Sequence, residues 1–215
     1  MTTTEDAMPL PSDAHRRAAV FIDKDGTLLE DVPYNVDPLR MRFAPGACEA
    51  LAELACCPFK LIVISNQSGV ALGRFEMSAL DAVEARLHEM FASCGATLDD
   101  VFWCPHHPEG SVARYTQPCD CRKPAPGMLL RAAREHDIDL HASWFVGDIL
   151  DDVEAGNLAG CRTILLDNGH ETVWQRTQTR MPTASARDLH RAALMILRYQ
   201  ERCSASEPAS SRHAP

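Results

Sequence analysis

Residues 18–27 read Ala18-Ala19-Val20-Phe21-Ile22-Asp23-Lys24-Asp25-Gly26-Thr27. Five apolar residues run without a polar break and stop at an acid. A run of that length, with no alternation, suits a strand covered on both faces, as in a parallel sheet. The glycine that follows lets the chain turn sharply, and it leaves room for a ligand beside the two carboxylates.

The same punctuation recurs along the chain. Leu61-Ile62-Val63-Ile64 ends at Ser65-Asn66, and Trp144-Phe145-Val146 ends at Gly147-Asp148. Val101-Phe102-Trp103 and Thr163-Ile164-Leu165-Leu166 make five predicted strands in all. Helical patterns fill the gaps. One opens at Pro45-Gly46 and runs through Leu51 and Leu54. A second starts at Ser78, read as its cap with Asp81 three residues on, buries Val83, Leu87, Met90 and Phe91, and ends at Gly95. A third begins near Pro126-Gly127 and buries Leu129, Leu130 and Ala133. A fourth follows Asp151-Asp152 and stops at Gly160, and a fifth spans 186–199. Strand and helix in alternation predict an α/β, Rossmann-like doubly wound parallel sheet. Ligands bind such sheets outside the carboxyl ends of the strands. Asp23, Ser65 and Asp148 each sit at such an end.

The chain of 215 residues is read as one domain over 17–200, with a flexible arm at 1–16 and a disordered, Ser-rich tail at 201–215. A net charge of −9 argues against a nucleic-acid partner, which requires clustered cations. No apolar run approaches the roughly 18 residues that span a bilayer, so no membrane is expected. The first residues lack an apolar signal core, and a cytoplasmic location is the default. A monomer is expected, since no heptad pattern or long exposed apolar helix is present.

Carboxylates at neighbouring strand ends repel unless a cation lies between them. Mg²⁺ takes oxygen ligands of this kind, with waters and substrate phosphate completing its shell. Asp23 and Asp25 at one strand end, with Asp148, Asp151 and Asp152 after another, fit that pattern. Lys123 and Arg122 supply positive charge and Ser65 a hydroxyl, as phosphoryl transfer needs. Asp151 reads as a solvated helix-start acid. One Asp-x-Asp-Gly-Thr is also what a turn of solvated acids looks like; with Ser65, Lys123 and Asp148 in order, that reading loses most of its weight.

Nine cysteines without an export signal do not suggest a disulfide framework. Cys48, Cys56, Cys57, Cys94 and Cys161 sit in apolar stretches and read as core residues. Cys104-Pro105-His106 and Cys119-Asp120-Cys121 differ. Together they offer three thiols and an imidazole, a common structural Zn²⁺ set, and would staple the loop 104–121, which has no core of its own. His107 is the competing ligand, and His106 is preferred because it matches the Cys-x-Cys spacing. Four protein ligands close the site, so the zinc is structural rather than catalytic.

Asp23-x-Asp25-Gly26-Thr27, Ser65, Lys123 and Gly147-Asp148-x-x-x-Asp152 together resemble the haloacid dehalogenase (HAD) superfamily over about residues 18 to 170. The resemblance implies a HAD-like phosphatase with Asp23 as nucleophile and Asp25 as general acid and base. It implies that Ser65 and Lys123 hold the phosphoryl group, and that Mg²⁺ binds the Asp23 carboxylate, the Asp25 backbone carbonyl and Asp148. Only 41 residues separate Asp23 from Ser65, too few for a cap domain there, so a capless, open cleft is expected. Cys104-Pro105-His106-His107-Pro108-Glu109-Gly110-Ser111, Cys119 to Pro124, and Ser65-Asn66-Gln67-Ser68-Gly69-Val70 resemble the D-glycero-D-manno-heptose 1,7-bisphosphate 7-phosphatases. Histidinol-phosphate phosphatases of the same branch share the zinc loop. This resemblance implies a small phosphorylated metabolite as partner, in the making of activated heptose for lipopolysaccharide. It implies a substrate site lined by Asp31, Tyr34, Ser65, Asn66, Gln67, Ser68, Arg122 and Lys123. Ser65 stands where Thr is frequent in these families, Ile149 where a Lys is frequent, and Asp167-Asn168-Gly169-His170 departs from them. The reading from a different class is a zinc-stabilised binding protein that keeps the fold without turnover.

Overall fold

The computed structural model describes residues 17–206. The expected arm at 1–16 and the last nine residues of the expected tail lie outside the described residues. Strands β1 (Ala19–Asp23), β2 (Lys60–Asn66), β3 (Asp100–Cys104), β4 (Trp144–Gly147), β5 (Arg162–Leu166) and β6 (Ala184–Ala186) form one sheet. All pair in parallel, in the order β3-β2-β1-β4-β5-β6. Helices α1 (Ala47–Ala55), α2 (Ala79–Ser93), α3 (Gly127–His136), α4 (Leu150–Ala159) and α5 (Leu189–Ser206) connect and flank the strands.

The unbroken apolar runs are explained by the two faces of the sheet. Successive side chains of a strand point to opposite sides. Val20 and Ile22 join Leu61 and Val63 in a core with Leu51, Leu54, Val83, Leu87 and Ile196 from α1, α2 and α5. Ala19 and Phe21 join Ile62 and Ile64 in a second core with Met128, Leu129, Ala132 and Ala155 from α3 and α4. The central strands are therefore apolar on both faces until their carboxyl ends, where Asp23 closes β1 and Ser65-Asn66 closes β2. The strand order reverses between β1 and β4, which opens a crevice beyond their carboxyl ends. In register, Asp23 lies level with Ile64 of β2, and Ile22 with Val146 of β4. Ser65 and Asp148 thus each emerge one residue beyond the level of Asp23.

The exit from β1 is a wide turn. Leu28 N donates to Asp23 O at 3.2 Å and Leu29 N to Lys24 O at 2.8 Å, each five residues back. Gly26 holds this turn at φ +83°, a left-handed conformation that side-chain-bearing residues rarely adopt. A Cβ there would also lie 2.1 Å from Asp148 Oδ2 and 2.5 Å from His170 Nδ1.

The structure departs from several expectations. β6 was not anticipated, because Ala184-Ser185-Ala186 is too short and too weakly apolar to signal a strand. Ser78 precedes α2 in helical conformation and makes no side-chain cap. Along α3 the fully buried residues are Met128, Leu129 and Ala132, with Leu130 and Ala133 only partly covered. α5 begins at Leu189 and continues to Ser206, so residues 201–206 of the expected tail are helical. Cys48 and Cys94 form a disulfide between α1 and the end of α2, against the expectation of two separate core thiols. Their Cα atoms are 5.4 Å apart, the separation a disulfide spans. Cys56 is exposed and Cys57 half-buried, because α1 ends at Ala55. Cys161 is buried, as expected. Among the described residues no helix is long and apolar enough to cross a membrane.

Two outcomes follow. Leu51 is fully buried under α1, so Leu51→Ala should cost about 2–5 kcal/mol in urea unfolding, from lost transfer energy and the cavity left behind. Gly26→Ala should leave the far-ultraviolet spectrum native. It should nevertheless lower phosphate release at least about tenfold, because either the turn or Asp148 must move.

Candidate active site

The centre of the crevice is a buried ammonium. Lys123, 3% exposed, forms an ion pair with Asp23 Oδ1 and a second, at 2.6 Å, with Asp152 Oδ1. Its Nζ also donates to Ile64 O at 3.3 Å. Burial by itself would lower the affinity of Lys123 for its proton, but Asp152 and Asp23 outweigh that and hold it firmly charged. The backbone of Lys123 is fixed by Asn66 at the end of β2. Asn66 Nδ2 donates to Lys123 O at 3.2 Å, and Lys123 N donates to Asn66 Oδ1 at 3.1 Å. The amide of one strand end thereby places the cation of a distant loop.

Asp152 starts α4, where its Oδ2 accepts from Ile149 N at 3.3 Å. Asp23, Asp148 and Asp152 are all buried, and each offers an oxygen within 4.8 Å of the others. Desolvation raises the pKa of Asp23 well above the ordinary carboxylate range, and Lys123 only partly offsets it. Asp148 is pushed up to about 6 by burial and by Asp152, against a lowering contribution from His170. Three buried carboxylates share one ammonium, that of Lys123, because the other buried lysine beside the site, Lys24, is paired with Asp25. Such an all-oxygen set suits a hard divalent cation. Asp151, expected as a solvated acid, instead pairs with Arg180 Nη2 at 2.6 Å.

Asp25 leaves the same turn as Asp23 and stays half-buried. Lys24 Nζ donates to its Oδ1, and Gln67 Nε2 donates to its Oδ2 at 3.2 Å. Gln67 Nε2 also reaches Ser65 Oγ at 2.9 Å. Gln67, buried, thus links the two strand-end groups. Thr27 Oγ1 donates to Asp148 Oδ1 at 3.3 Å, and His170 Nδ1 lies 2.7 Å from Asp148 Oδ2.

Asp23, Asp25, Ser65, Lys123 and Asp148 therefore converge, with Asn66 and Gln67 beside them. The other proposed lining residues stand further out. Ser68 is half-buried on the turn after β2. Asp31 and Tyr34 lie exposed on the loop between β1 and α1, and the Arg74 guanidinium lies over the Tyr34 ring at 5.6 Å. Arg122 turns back to donate to His106 O at 3.3 Å. The sequence reading missed Asp152 as the second anchor of Lys123 and Gln67 as a bridge, and it noted His170 only as part of a departing segment, without a role. Asp152 carried a signal in its spacing from Asp148. Nothing in the sequence links His170 to Asp148, 22 residues away.

The cysteine loop closes on itself. Cys104, His106, Cys119 and Cys121 place their ligand atoms within 4.8 Å of one another. Cys121 Sγ lies 3.1 Å from Cys104 Sγ, 3.2 Å from Cys119 Sγ and 3.3 Å from His106 Nδ1. His107 is engaged elsewhere, its Nδ1 accepting from Glu109 N at 3.1 Å. The site is a closed four-donor set with soft sulfur and imidazole ligands, the chemistry of structural zinc. Arg122 N donates to Cys119 Sγ at 3.3 Å, so the cluster also holds the backbone one residue before Lys123.

Residues 120–192 match the family described as HAD-hydrolase-like. The chain is 40% identical over 148 residues to the D-glycero-beta-D-manno-heptose-1,7-bisphosphate 7-phosphatase of Yersinia pestis, covering 69% of this chain and 79% of that one. The enzyme of the same name from Escherichia coli strain K12 is also 40% identical over 148 residues, covering 69% and 78%. Among solved structures, D,D-heptose 1,7-bisphosphate phosphatase from B. bronchiseptica, complexed with magnesium and phosphate, superposes with a TM-score of 0.70 at 31% identity. That match covers 85% of this chain and 99% of the other. Sequence identity at this level, over most of the relatives' length and on the same sheet, makes the chain a member of the HAD-like phosphatase family to which the heptose 1,7-bisphosphate 7-phosphatases belong.

Proposed function

We propose that the protein hydrolyses a phosphate monoester of a small sugar through an aspartyl-phosphate on Asp23, with the 7-phosphate of D-glycero-D-manno-heptose 1,7-bisphosphate as its substrate group. The observation that carries this reading is the Asp23 carboxylate, buried at the switch point with Lys123 on Oδ1. The relatives' names supply the heptose bisphosphate.

Asp23 Oδ2 attacks phosphorus as the bond between phosphorus and the sugar oxygen breaks. Asp25, protonated, gives its proton to that oxygen. Asp25 then takes a proton from water as the water oxygen attacks phosphorus. The bond to Asp23 breaks, and phosphate and the free carboxylate are regenerated. Gln67 keeps Asp25 and Ser65 in fixed relation during both halves. Lys123 and the Ser65 hydroxyl hold the phosphoryl oxygens, where preorganised charge contributes most to phosphoryl transfer. Asp23, Asp148 and the Asp25 backbone carbonyl would hold Mg²⁺, which neutralises charge on the transferring group. Asn66, Ser68, Arg122, Asp31 and Tyr34 are assigned to the sugar and its second phosphate. The exposed loop bearing Asp31 and Tyr34 supports an open cleft that admits a small substrate. On this reading the enzyme works as a cytoplasmic monomer.

Structural zinc is assigned to Cys104, His106, Cys119 and Cys121. Their 3.1 to 3.8 Å separations approach the edge of about 3.8 Å set by ligand bonds of about 2.3 Å in a tetrahedron.

Asp23→Asn should abolish turnover by about 10⁴-fold or more while circular dichroism stays native. Near-normal phosphate release would remove Asp23 as nucleophile. A kcat/KM comparison across heptose bisphosphate, histidinol phosphate and a sugar-phosphate panel should favour the heptose, and preference for histidinol phosphate would reassign the substrate. Elemental analysis should find about one zinc per chain. Its removal should expose residues 105–122 to protease and cut turnover, whereas a zinc-free chain that stays active and protected would refute the staple.

A further inference from the structure

The segment after β5 reaches into the catalytic centre from a direction that the motifs do not cover. Asn168 Nδ2 donates to Gly26 O at 2.8 Å, which ties this segment to the turn carrying Asp23 and Asp25. His170 N donates to Asn168 Oδ1 at 3.3 Å, so the same amide sets the position of His170. His170 Nδ1 then meets Asp148 Oδ2 at 2.7 Å. One residue on, Glu171 Oε2 accepts from Leu150 N at 2.6 Å, at the start of α4. Three consecutive contacts therefore join the exit of β1, the exit of β4 and the first turn of α4.

His170 is 42% exposed on its side chain, while its partner oxygen belongs to a carboxylate only 6% exposed. The imidazole caps the outer side of Asp148, while Thr27 Oγ1 takes Oδ1 from within the turn. Gly26 makes this fit possible, because any Cβ at that position would occupy the space of both His170 Nδ1 and Asp148 Oδ2. Two roles are open to such a group. Either it competes with a cation for Asp148, or it orients the carboxylate toward the cation. A direct ligand role is disfavoured: the groups near enough to share one ion are Asp23, Asp148 and Asp152, and His170 is not among them. A donor on one carboxylate oxygen, with the ring anchored through its own backbone, is how outer-shell partners orient a ligand.

We propose that His170, held by Asn168, is a positioning residue for the catalytic cation: its hydrogen bond fixes the Asp148 carboxylate facing Asp23. This inference rests on the cation site assigned under the proposed function. It adds a part of that site outside the motifs of the family.

The test is calorimetric titration of Mg²⁺ into the full chain, zinc retained and Mg²⁺ dialysed away, for wild type, His170→Ala, His170→Asn, Asn168→Ala and Asp148→Asn. His170→Ala should bind Mg²⁺ about 10- to 100-fold more weakly. The Mg²⁺ concentration for half-maximal turnover should rise in parallel, with high Mg²⁺ recovering most of the lost rate. His170→Asn, whose amide can donate from nearly the Nδ1 position, should restore most of the affinity, and Asn168→Ala should weaken it in the same direction. Melting of the Mg²⁺-free variants is read alongside, and the Asn variant separates a lost hydrogen bond from a damaged fold. Equal or tighter binding by His170→Ala, or an Asn variant no better than Ala, overturns the proposal while Asp148→Asn still loses affinity. Wild-type affinity in Asp148→Asn overturns the cation site itself, and the positioning role with it.

Discussion

A buried ammonium between two buried carboxylates is the constraint around which the rest of this structure is arranged. Lys123 is 3% exposed, and its partner Asp152 is 1% exposed. Burying one such charge without a partner costs several kcal/mol, and removing one partner of a buried pair typically costs about 3–5 kcal/mol. The loop carrying Lys123 therefore has to arrive where Asp23 and Asp152 already stand. Parallel pairing of β1 with β4 brings the strand end at Asp23 beside the first turn of α4, which carries Asp152. Asn66 and the cysteine cluster deliver the loop, one from the side of β2 and the other from immediately upstream.

This arrangement separates rigid parts from adaptable ones. The groups assigned to bond breaking lie on strand ends or are clamped to them, as a preorganised site requires. Of the groups assigned to the sugar, Asp31 and Tyr34 lie exposed on the loop after β1, Ser68 lies half-buried on the turn after β2, and Asn66 and Arg122 flank them at the end of β2 and beside the cysteine cluster. Among the described residues, the chain places the cysteine loop between β3 and α3, and no helix or strand other than a short 3₁₀ turn is added there. A segment too poor in apolar residues to build its own core is held instead by four convergent donor groups. Its closeness to Lys123 couples the order of that loop to the position of the buried charge.

Much of this could be read before any coordinates. The runs ending at Asp23, Ser65 and Asp148 are strands because each is apolar on both faces, and that feature is local. The pairing of Cys104 and His106 with Cys119 and Cys121 was equally readable, since close spacing of soft ligands is itself local. Short or polar elements escaped: β6 has three residues, and its place at the sheet edge depends on β5. The disulfide of Cys48 with Cys94 escaped for a related reason, because α1 and α2 had first to be packed side by side. Asp151 seemed solvated because its partner, Arg180, lies 29 residues on and comes close only when the chain folds back over α4.

The class of sheet, the residues at the strand exits and the chemistry of both donor sets, with His106 as the imidazole, are legible in the chain alone. Those follow from patterns within a few residues and from the preferences of side-chain types. Only the folded chain decided which acid holds Lys123, that Gln67 joins Asp25 to Ser65, and that His170 lies on Asp148. Each of these is a choice among similar groups. It is made by distance and direction across the sheet's crevice, which exist only once the strands are in register.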